Sequence, residues 1–147
     1  MNLKLIITVL AVSALFLAGC SKKSGSSDKI GNRWYTKEQV TKGQELFANN
    51  CAVCHGQKAE STPNWRKKLS DGSYPPPPLN GTAHAWHHPL KALEYTVKNG
   101  GKPFGGKMPG FGNVLNEQEI LDVIAYFQNF WDDEVYNAWA RRNSSSN

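Results

Sequence analysis

The sequence is organised around the stretch Cys51-Ala52-Val53-Cys54-His55. Two cysteines separated by two residues and followed directly by histidine form the pattern of a c-type haem attachment site. On a single turn of helix, both thiols can reach the two vinyl groups on one edge of a flat macrocycle and form thioethers. The imidazole can then turn under the ring and bind iron from the proximal face. The stretch therefore predicts one covalent haem c, held by Cys51 and Cys54, with His55 as the proximal iron ligand.

Two other interpretations of the cysteine pair are open from the sequence. A thioredoxin-like redox pair would require a βαβ pattern nearby, and none is visible. Half of a zinc site would require a second pair of Cys or His ligands. The histidines His84, His87 and His88 could supply such ligands, and this cluster could also bind copper or zinc adventitiously. The corresponding functional alternative is a haem-free lipoprotein for metal or thiol-redox chemistry.

The composition indicates a small domain with little apolar core. The chain has 147 residues, enough for one domain with tails, and only 39% of them are apolar even though an apolar leader is included. A small domain of this kind needs an additional stabilising element, and a buried haem provides one. We therefore expect the chain without haem to be largely unfolded. The net charge of +5 is modest and unclustered, so it does not indicate nucleic-acid binding.

The first 19 residues are organised as an export signal. Residues 1–4 carry one positive charge and residues 5–17 carry none, a stretch that is short for a membrane span. The ending Leu17-Ala18-Gly19-Cys20 resembles the bacterial lipoprotein signal, in which cleavage precedes a lipid-carrying cysteine. An uncleaved anchor, or ordinary cleavage that leaves Cys20 free, is the alternative. The resemblance implies a signal peptide over residues 1–19 and a lipid anchor on Cys20 facing the periplasm, and the following serine favours the outer membrane.

The mature chain divides into three parts. Residues 20–33 contain the lipidated cysteine and a linker rich in Ser, Gly and Lys, which we expect to be flexible. Residues 34–131 form the predicted haem domain. Residues 132–147 form a short C-terminal helix, expected over Asp133 to Arg141, and a disordered tail from Asn143.

Three helices are predicted inside the haem domain. Capping-box patterns at residues 36–39 and 116–119 each precede apolar positions at helical spacing, and the first helix should run from Lys37 to about Ala48. Pro89 predicts the start of a third helix between them. These helices are separated by long segments rich in proline and glycine, which cannot be helix interiors.

Together these features resemble the class I c-type cytochromes over about two thirds of the chain. In that family the first and last helices cross before the haem edge, where a small residue on the first helix meets an aliphatic and aromatic pair on the last. Gly43 with Phe47, and Val123 with Tyr126, match those positions. The resemblance implies an all-α fold in which three to four main helices pack around one haem, joined by long Pro/Gly-rich loops.

The distal iron ligand is implied by the same resemblance. Residues 102–111, KPFGGKMPGF, match the Gly/Pro-held loop in which the family carries a methionine ligand, and Met108 occupies that position. The histidines His84, His87 and His88 are the competing candidates. Their alternative role is as surface residues or as contacts of the haem propionates.

A proline segment is implied on the proximal side. In class I cytochromes the proline carbonyl of a Pro-x-Leu element accepts a hydrogen bond from Nδ1 of the haem histidine, and the leucine packs on the ring. Pro77 and Leu79 match this element, so the resemblance places both in the haem environment. The alternative is a stiff surface loop.

The expected function follows from the predicted ligands. A haem with both axial positions filled by protein has no open site for oxygen, peroxide or substrate. We therefore expect a membrane-tethered monohaem electron carrier with a low-spin, high-potential His/Met haem rather than an enzyme. Its partners would be redox proteins, such as an oxidase or reductase that it joins or supplies. A haem sensor or peroxidase-like protein, in which Met108 leaves the iron, is the main alternative.

Overall fold

The computed structural model describes residues 28–144. In this part of the chain there are five α-helices: α1 (Lys37–Asn50), α2 (Ala52–His55), α3 (Leu90–Asn99), α4 (Glu117–Gln128) and α5 (Asp133–Ser144). The same residues contain no strand, only an isolated antiparallel bridge between Lys29 and Thr36. The all-α fold is confirmed, with four longer helices and the single turn α2. The predicted signal peptide and Cys20 lie outside the described residues.

Helices α1 and α4 begin with the predicted capping boxes. The side chain of Thr36 accepts a hydrogen bond from the amide of Gln39, and the Gln39 side chain accepts one from the amide of Thr36, both at 3.2 Å. Asn116 and Glu119 make the same reciprocal pair at 3.0 and 2.8 Å. These bonds satisfy amides that have no partner within the helix. Pro89 is the cap of α3 rather than its first helical residue.

Helices α1 and α4 cross at Gly43. A β-carbon at this residue would lie 1.9 Å from the carbonyl oxygen of Asp122 and 3.0 Å from Cβ of Tyr126. Beside the glycine, the ring of Phe47 lies 5.2 Å from that of Tyr126, measured between centroids. Val123 is 1% exposed. The helix crossing expected from the resemblance is therefore present, and it depends on the absence of a side chain at Gly43.

The end of the predicted linker belongs to the folded unit. The carbonyl of Asp28 accepts a hydrogen bond from the amide of Lys37 at 2.9 Å. The Arg33 guanidinium contacts the carboxylate of Asp133 at 2.8 Å and lies 4.1 Å from the centre of the Tyr136 ring. Residues from 28 onwards therefore pack on the domain, and Arg33 connects them to the start of α5.

Helix α5 is longer than expected and reaches Ser144. The sequence predicted a disordered tail from Asn143, but this residue is helical, and its side-chain oxygen accepts a hydrogen bond from the amide of Leu90 at 2.9 Å. The indole of Trp139 donates to the carbonyl of His88 at 2.9 Å. These contacts hold the end of α5 against the beginning of α3, which explains the added helical turn.

We predict that Gly43→Ala destabilises the haem-loaded protein by about 2 kcal/mol, because the added methyl group overpacks a rigid backbone contact. Alanine is otherwise favoured over glycine in a helix by about 1 kcal/mol. Guanidinium unfolding followed by far-UV circular dichroism measures the change. Glu45→Ala, at an exposed position of the same helix, is the control and should leave the stability almost unchanged. Equal or greater stability of Gly43→Ala would show that the crossing is not tight.

Candidate metal centre

One helical turn holds Cys51, Cys54 and His55 together. Cys51 ends α1 and caps α2, and its carbonyl accepts hydrogen bonds from the amides of Cys54 at 3.1 Å and His55 at 2.9 Å. Cys51 and His55 are each 7% exposed, whereas Cys54 is exposed. The predicted attachment residues therefore form a compact unit with the imidazole turned into the protein.

The thiol of Cys51 is not activated. Burial, with a smaller contribution from the neighbouring Cys54, raises the pKa of Cys51 to about 11. Redox-active cysteine pairs depend instead on a lowered thiol pKa, which provides the attacking thiolate. The environment of this pair therefore does not favour a thioredoxin-like role.

The imidazole of His55 is held in a defined orientation. Its Nδ1 lies 2.9 Å from the carbonyl oxygen of Pro77, which can only accept a hydrogen bond. Burial lowers the pKa of His55, and the bond to Pro77 acts in the opposite direction. The neutral ring thus carries its proton on Nδ1 and leaves the Nε2 lone pair free for a metal. Together with the adjacent thiols, this donor set fits a covalently attached haem.

The proline segment that orients His55 is itself fixed by three contacts. The amide of Leu79 donates to the carbonyl of Ala59 at 2.8 Å, and the Trp131 indole donates to the Leu79 carbonyl at 2.7 Å. The hydroxyl of Ser61 donates to the carbonyl of Pro76. Ala59 and Ser61 have positive φ angles of 57° and 50°. Sequence reasoning missed these two residues, because neither is of a type that favours this conformation.

Met108 lies in a loop that is attached to the end of α3. The amide of Gly101 donates to the Met108 carbonyl at 2.9 Å, and the methionine side chain packs against the core. A β-carbon at Gly110 would lie 2.8 Å from the carbonyl oxygen of Lys98 and 2.8 Å from the carbonyl carbon of Asn99. The loop therefore approaches the α3 backbone so closely that only glycine fits at residue 110.

An open pocket of about 620 Å³ lies beside this loop. Its lining includes Met108 but none of the residues of the attachment turn. The lining residues are Asn99, Lys102, Gly106, Lys107, Met108, Pro109 and Gly110. The two predicted iron ligands thus lie on separate segments. His55 contacts the proline segment, and Met108 lines this pocket.

The histidine cluster forms an exposed aromatic surface. His84 stacks on Trp65 with 5.3 Å between ring centroids, and His87 lies 3.9 Å from Trp86. Nδ1 of His87 is 3.0 Å from the guanidinium of Arg142. Across residues 28–144, no three His, Cys, Asp or Glu side chains are grouped so that they could hold a metal ion. The side chains of His84 and His87 contact aromatic rings and a guanidinium.

Comparison with known proteins identifies similar chains. The family model Cytochrome c matches residues 40–131. Thiosulfate dehydrogenase of Psychrobacter arcticus is 37% identical over 86 residues, which are 58% of this chain and 24% of that protein. Cytochrome c6 of Euglena gracilis is 32% identical over 100 residues, which are 67% of this chain and 95% of that protein.

A third relative is the cytochrome c subunit of the alcohol dehydrogenase (quinone) of Gluconobacter oxydans. It is 28% identical over 107 residues, 66% of this chain and 20% of that subunit. The chain thus spans about a quarter of the thiosulfate dehydrogenase and a fifth of the alcohol dehydrogenase subunit, but nearly all of the cytochrome c6. No solved structure gives a significant match.

We predict that Gly110→Ala displaces the loop carrying Met108 without preventing haem attachment, because the added methyl group meets the backbone of α3. If Met108 binds iron as the sequence predicts, the ferric protein should lose most of the far-red methionine-to-iron absorption band. Gly105→Asn is the control, since residue 105 has open space around its α-carbon and asparagine tolerates its φ of 75°. An unchanged band in Gly110→Ala would contradict the proposed attachment of the loop.

Proposed function

This chain belongs to the cytochrome c family, whose members carry covalently bound haem c, and we propose that it works as a membrane-tethered carrier of single electrons. When bound, the haem supplies one-electron redox chemistry at its iron. We assign His55 and Met108 as the two axial ligands and Cys51 and Cys54 as the thioether residues. The hydrogen bond between His55 and Pro77 carries this proposal, because it prepares a buried neutral imidazole for a metal next to two thiols.

The proposed roles of the proximal residues follow from their contacts. His55 presents Nε2, while Pro77 fixes the opposite side of the ring. Leu79 is partly buried against the core and would cover the ring plane. These residues exclude water from the proximal side and keep the imidazole in one orientation.

The proposed role of Met108 is to fill the second axial position. Its thioether is a soft neutral ligand, and His/Met ligation raises the potential of cytochromes c. The attachment of the loop to α3 through Gly101 and Gly110 holds this side chain in place. A permanently filled position favours electron transfer over binding of oxygen or peroxide, which is why we prefer a carrier to a sensor or a peroxidase-like enzyme.

We propose redox proteins as partners. Two relatives are named as a dehydrogenase or a dehydrogenase subunit, which makes a dehydrogenase a reasonable electron donor for this chain. The cytochrome c6 of Euglena gracilis, of which this chain covers 95%, favours a carrier that works as a separate unit. An oxidase or reductase would be the corresponding acceptor.

We also propose that the carrier is exported and held at a membrane by lipid on Cys20, facing the periplasm, with the outer membrane favoured. The support is the leader pattern over residues 1–19 and the agreement between export and haem c, which is attached outside the cytoplasm. No helix in the described part of the chain has the length and apolarity needed to cross a bilayer. We propose residues 34–131 as the haem domain, on which residues 28–33 and α5 pack.

We predict that Met108→Ala abolishes the far-red absorption band of the ferric protein and lowers the reduction potential, because the soft ligand is lost. Carbon monoxide should then bind readily to the ferrous protein, whereas the wild type should resist it. Phe104→Ala is the control, since this side chain in the neighbouring turn is 71% exposed. A high-spin wild-type spectrum, or ready carbon monoxide binding by the wild type, would favour the sensor or peroxidase-like alternative.

We predict that Cys20→Ser, in a chain whose leader is exchanged for a signal peptide that is cleaved before residue 20 without lipidation, moves the cytochrome from the membrane fraction to the soluble fraction of cells that mature haem c, because neither the lipid nor an apolar leader remains. Two or more acyl chains hold a protein stably on a bilayer, so the shift should be nearly complete. The measurement is haem absorbance in both fractions after ultracentrifugation. Ser24→Ala in the linker is the control and should stay on the membrane. A wild-type protein that is already soluble would refute the anchor.

A further inference from the structure

One ion pair joins the segment that follows the attachment turn to the loop that carries Met108. The carboxylate of Asp71 contacts the ammonium group of Lys107, 36 positions further along the chain. Residues 57–80 contain Asp71 and also Pro77, the hydrogen-bond partner of His55, whereas residues 100–112 contain Met108. Within these two fully described segments, no other hydrogen bond or ion pair connects one to the other.

Asp71 is prepared for this contact by its own turn. Its Oδ1 accepts hydrogen bonds from the amide of Ser73 at 2.9 Å and from the Ser73 hydroxyl at 2.5 Å. The turn is closed by a hydrogen bond from the Leu69 amide to the Ser73 carbonyl at 2.8 Å. The other carboxylate oxygen, Oδ2, therefore remains for Lys107. The hydrogen bond from Lys107, followed by those from Ser73, lowers the pKa of Asp71, so the carboxylate is ionised at neutral pH.

The other partner is adjacent to the proposed iron ligand. Lys107 directly precedes Met108, and the carbonyl of Met108 is held by the amide of Gly101. That hydrogen bond attaches the backbone of Met108 to the end of α3. The contact of Lys107 with Asp71 adds a second restraint, from a segment outside α3, at the residue next to Met108.

We propose that Asp71 is a positioning residue. Through Lys107 it holds residues 100–112 in place, and so limits how often Met108 leaves the iron. This inference rests on the ligation proposed above. Asp71 does not touch the iron ligand, and its effect is on how often the loop opens. The contact would act as a latch between residues 57–80 and residues 100–112.

The effect should be local and sensitive to salt. The side chains of Lys107 and Asp71 are 65% and 50% exposed, and exposed ion pairs contribute little to global stability. Loss of the pair should therefore leave unfolding almost unchanged. Displacement of this loop alone breaks fewer interactions than global unfolding does. The small contribution of the ion pair should therefore be measurable in the frequency of loop opening. At 1 M salt the screening length is about 3 Å, close to the separation of a contact ion pair, so salt should weaken the effect without removing it.

Imidazole binding to the purified ferric holoprotein tests the latch, because imidazole must displace Met108 before it can reach the iron. We expect Asp71→Asn to bind imidazole about two- to fivefold more tightly than the wild type at low salt, the range that an exposed ion pair allows. The difference should become smaller in 1 M sodium chloride. Lys107→Gln should give the same increase, and the double variant should give no further increase.

Glu117→Gln is the matched control, since it removes one carboxylate from another exposed ion pair, with Lys98 at 3.2 Å, that does not join the two loops. It should bind imidazole like the wild type. Equal affinities for Asp71→Asn and the wild type, or an equal gain in Glu117→Gln, would overturn the latch while the methionine band of the wild type still supports the ligation. Absence of that band from the wild type would overturn both.

Discussion

Helices α1 and α4 approach so closely at Gly43 that a backbone carbonyl of α4 occupies the space of a side chain. This crossing places the attachment turn, because α1 leads directly into Cys51. It also places the chain after the turn, since the Tyr126 hydroxyl on α4 donates to the carbonyl of Gln57 at 2.8 Å. His55 lies between these two points. A change in the angle or spacing of the two helices would therefore move the imidazole from both sides.

The proline segment, residues 75–78, orients the imidazole of His55. Prolines at residues 75–78 have restricted φ angles and no amide hydrogen, so the segment has little conformational freedom to lose on folding. Its carbonyls remain as acceptors, and they receive donors from Ser61, His55 and, just beyond the prolines, Trp131. The orientation of the imidazole thus depends on a stiff segment held by separate parts of the chain.

Much of this architecture could be predicted from local sequence patterns. The capping boxes at Thr36 and Asn116, and the attachment turn, involve residues three or four positions apart, so the sequence alone indicates the contact. The placement of Arg33 against α5 and the pair between Asp71 and Lys107 could not be predicted in this way. Both contacts involve charged residues that are far apart in the chain. A charged side chain is usually exposed to solvent, so the sequence gives no reason to pair two particular ones.

The attachment of the N-terminal segment has a mechanical consequence. A pull on the chain before Asp28 would act first on its backbone bond to Lys37 and then on Arg33, which is bound to Asp133 and to the Tyr136 ring. The load would therefore enter α1 and α5 at their first residues, Lys37 and Asp133. If Cys20 anchors the chain as proposed, drag on the molecule would be carried first by these contacts of residues 28–37 with the folded domain.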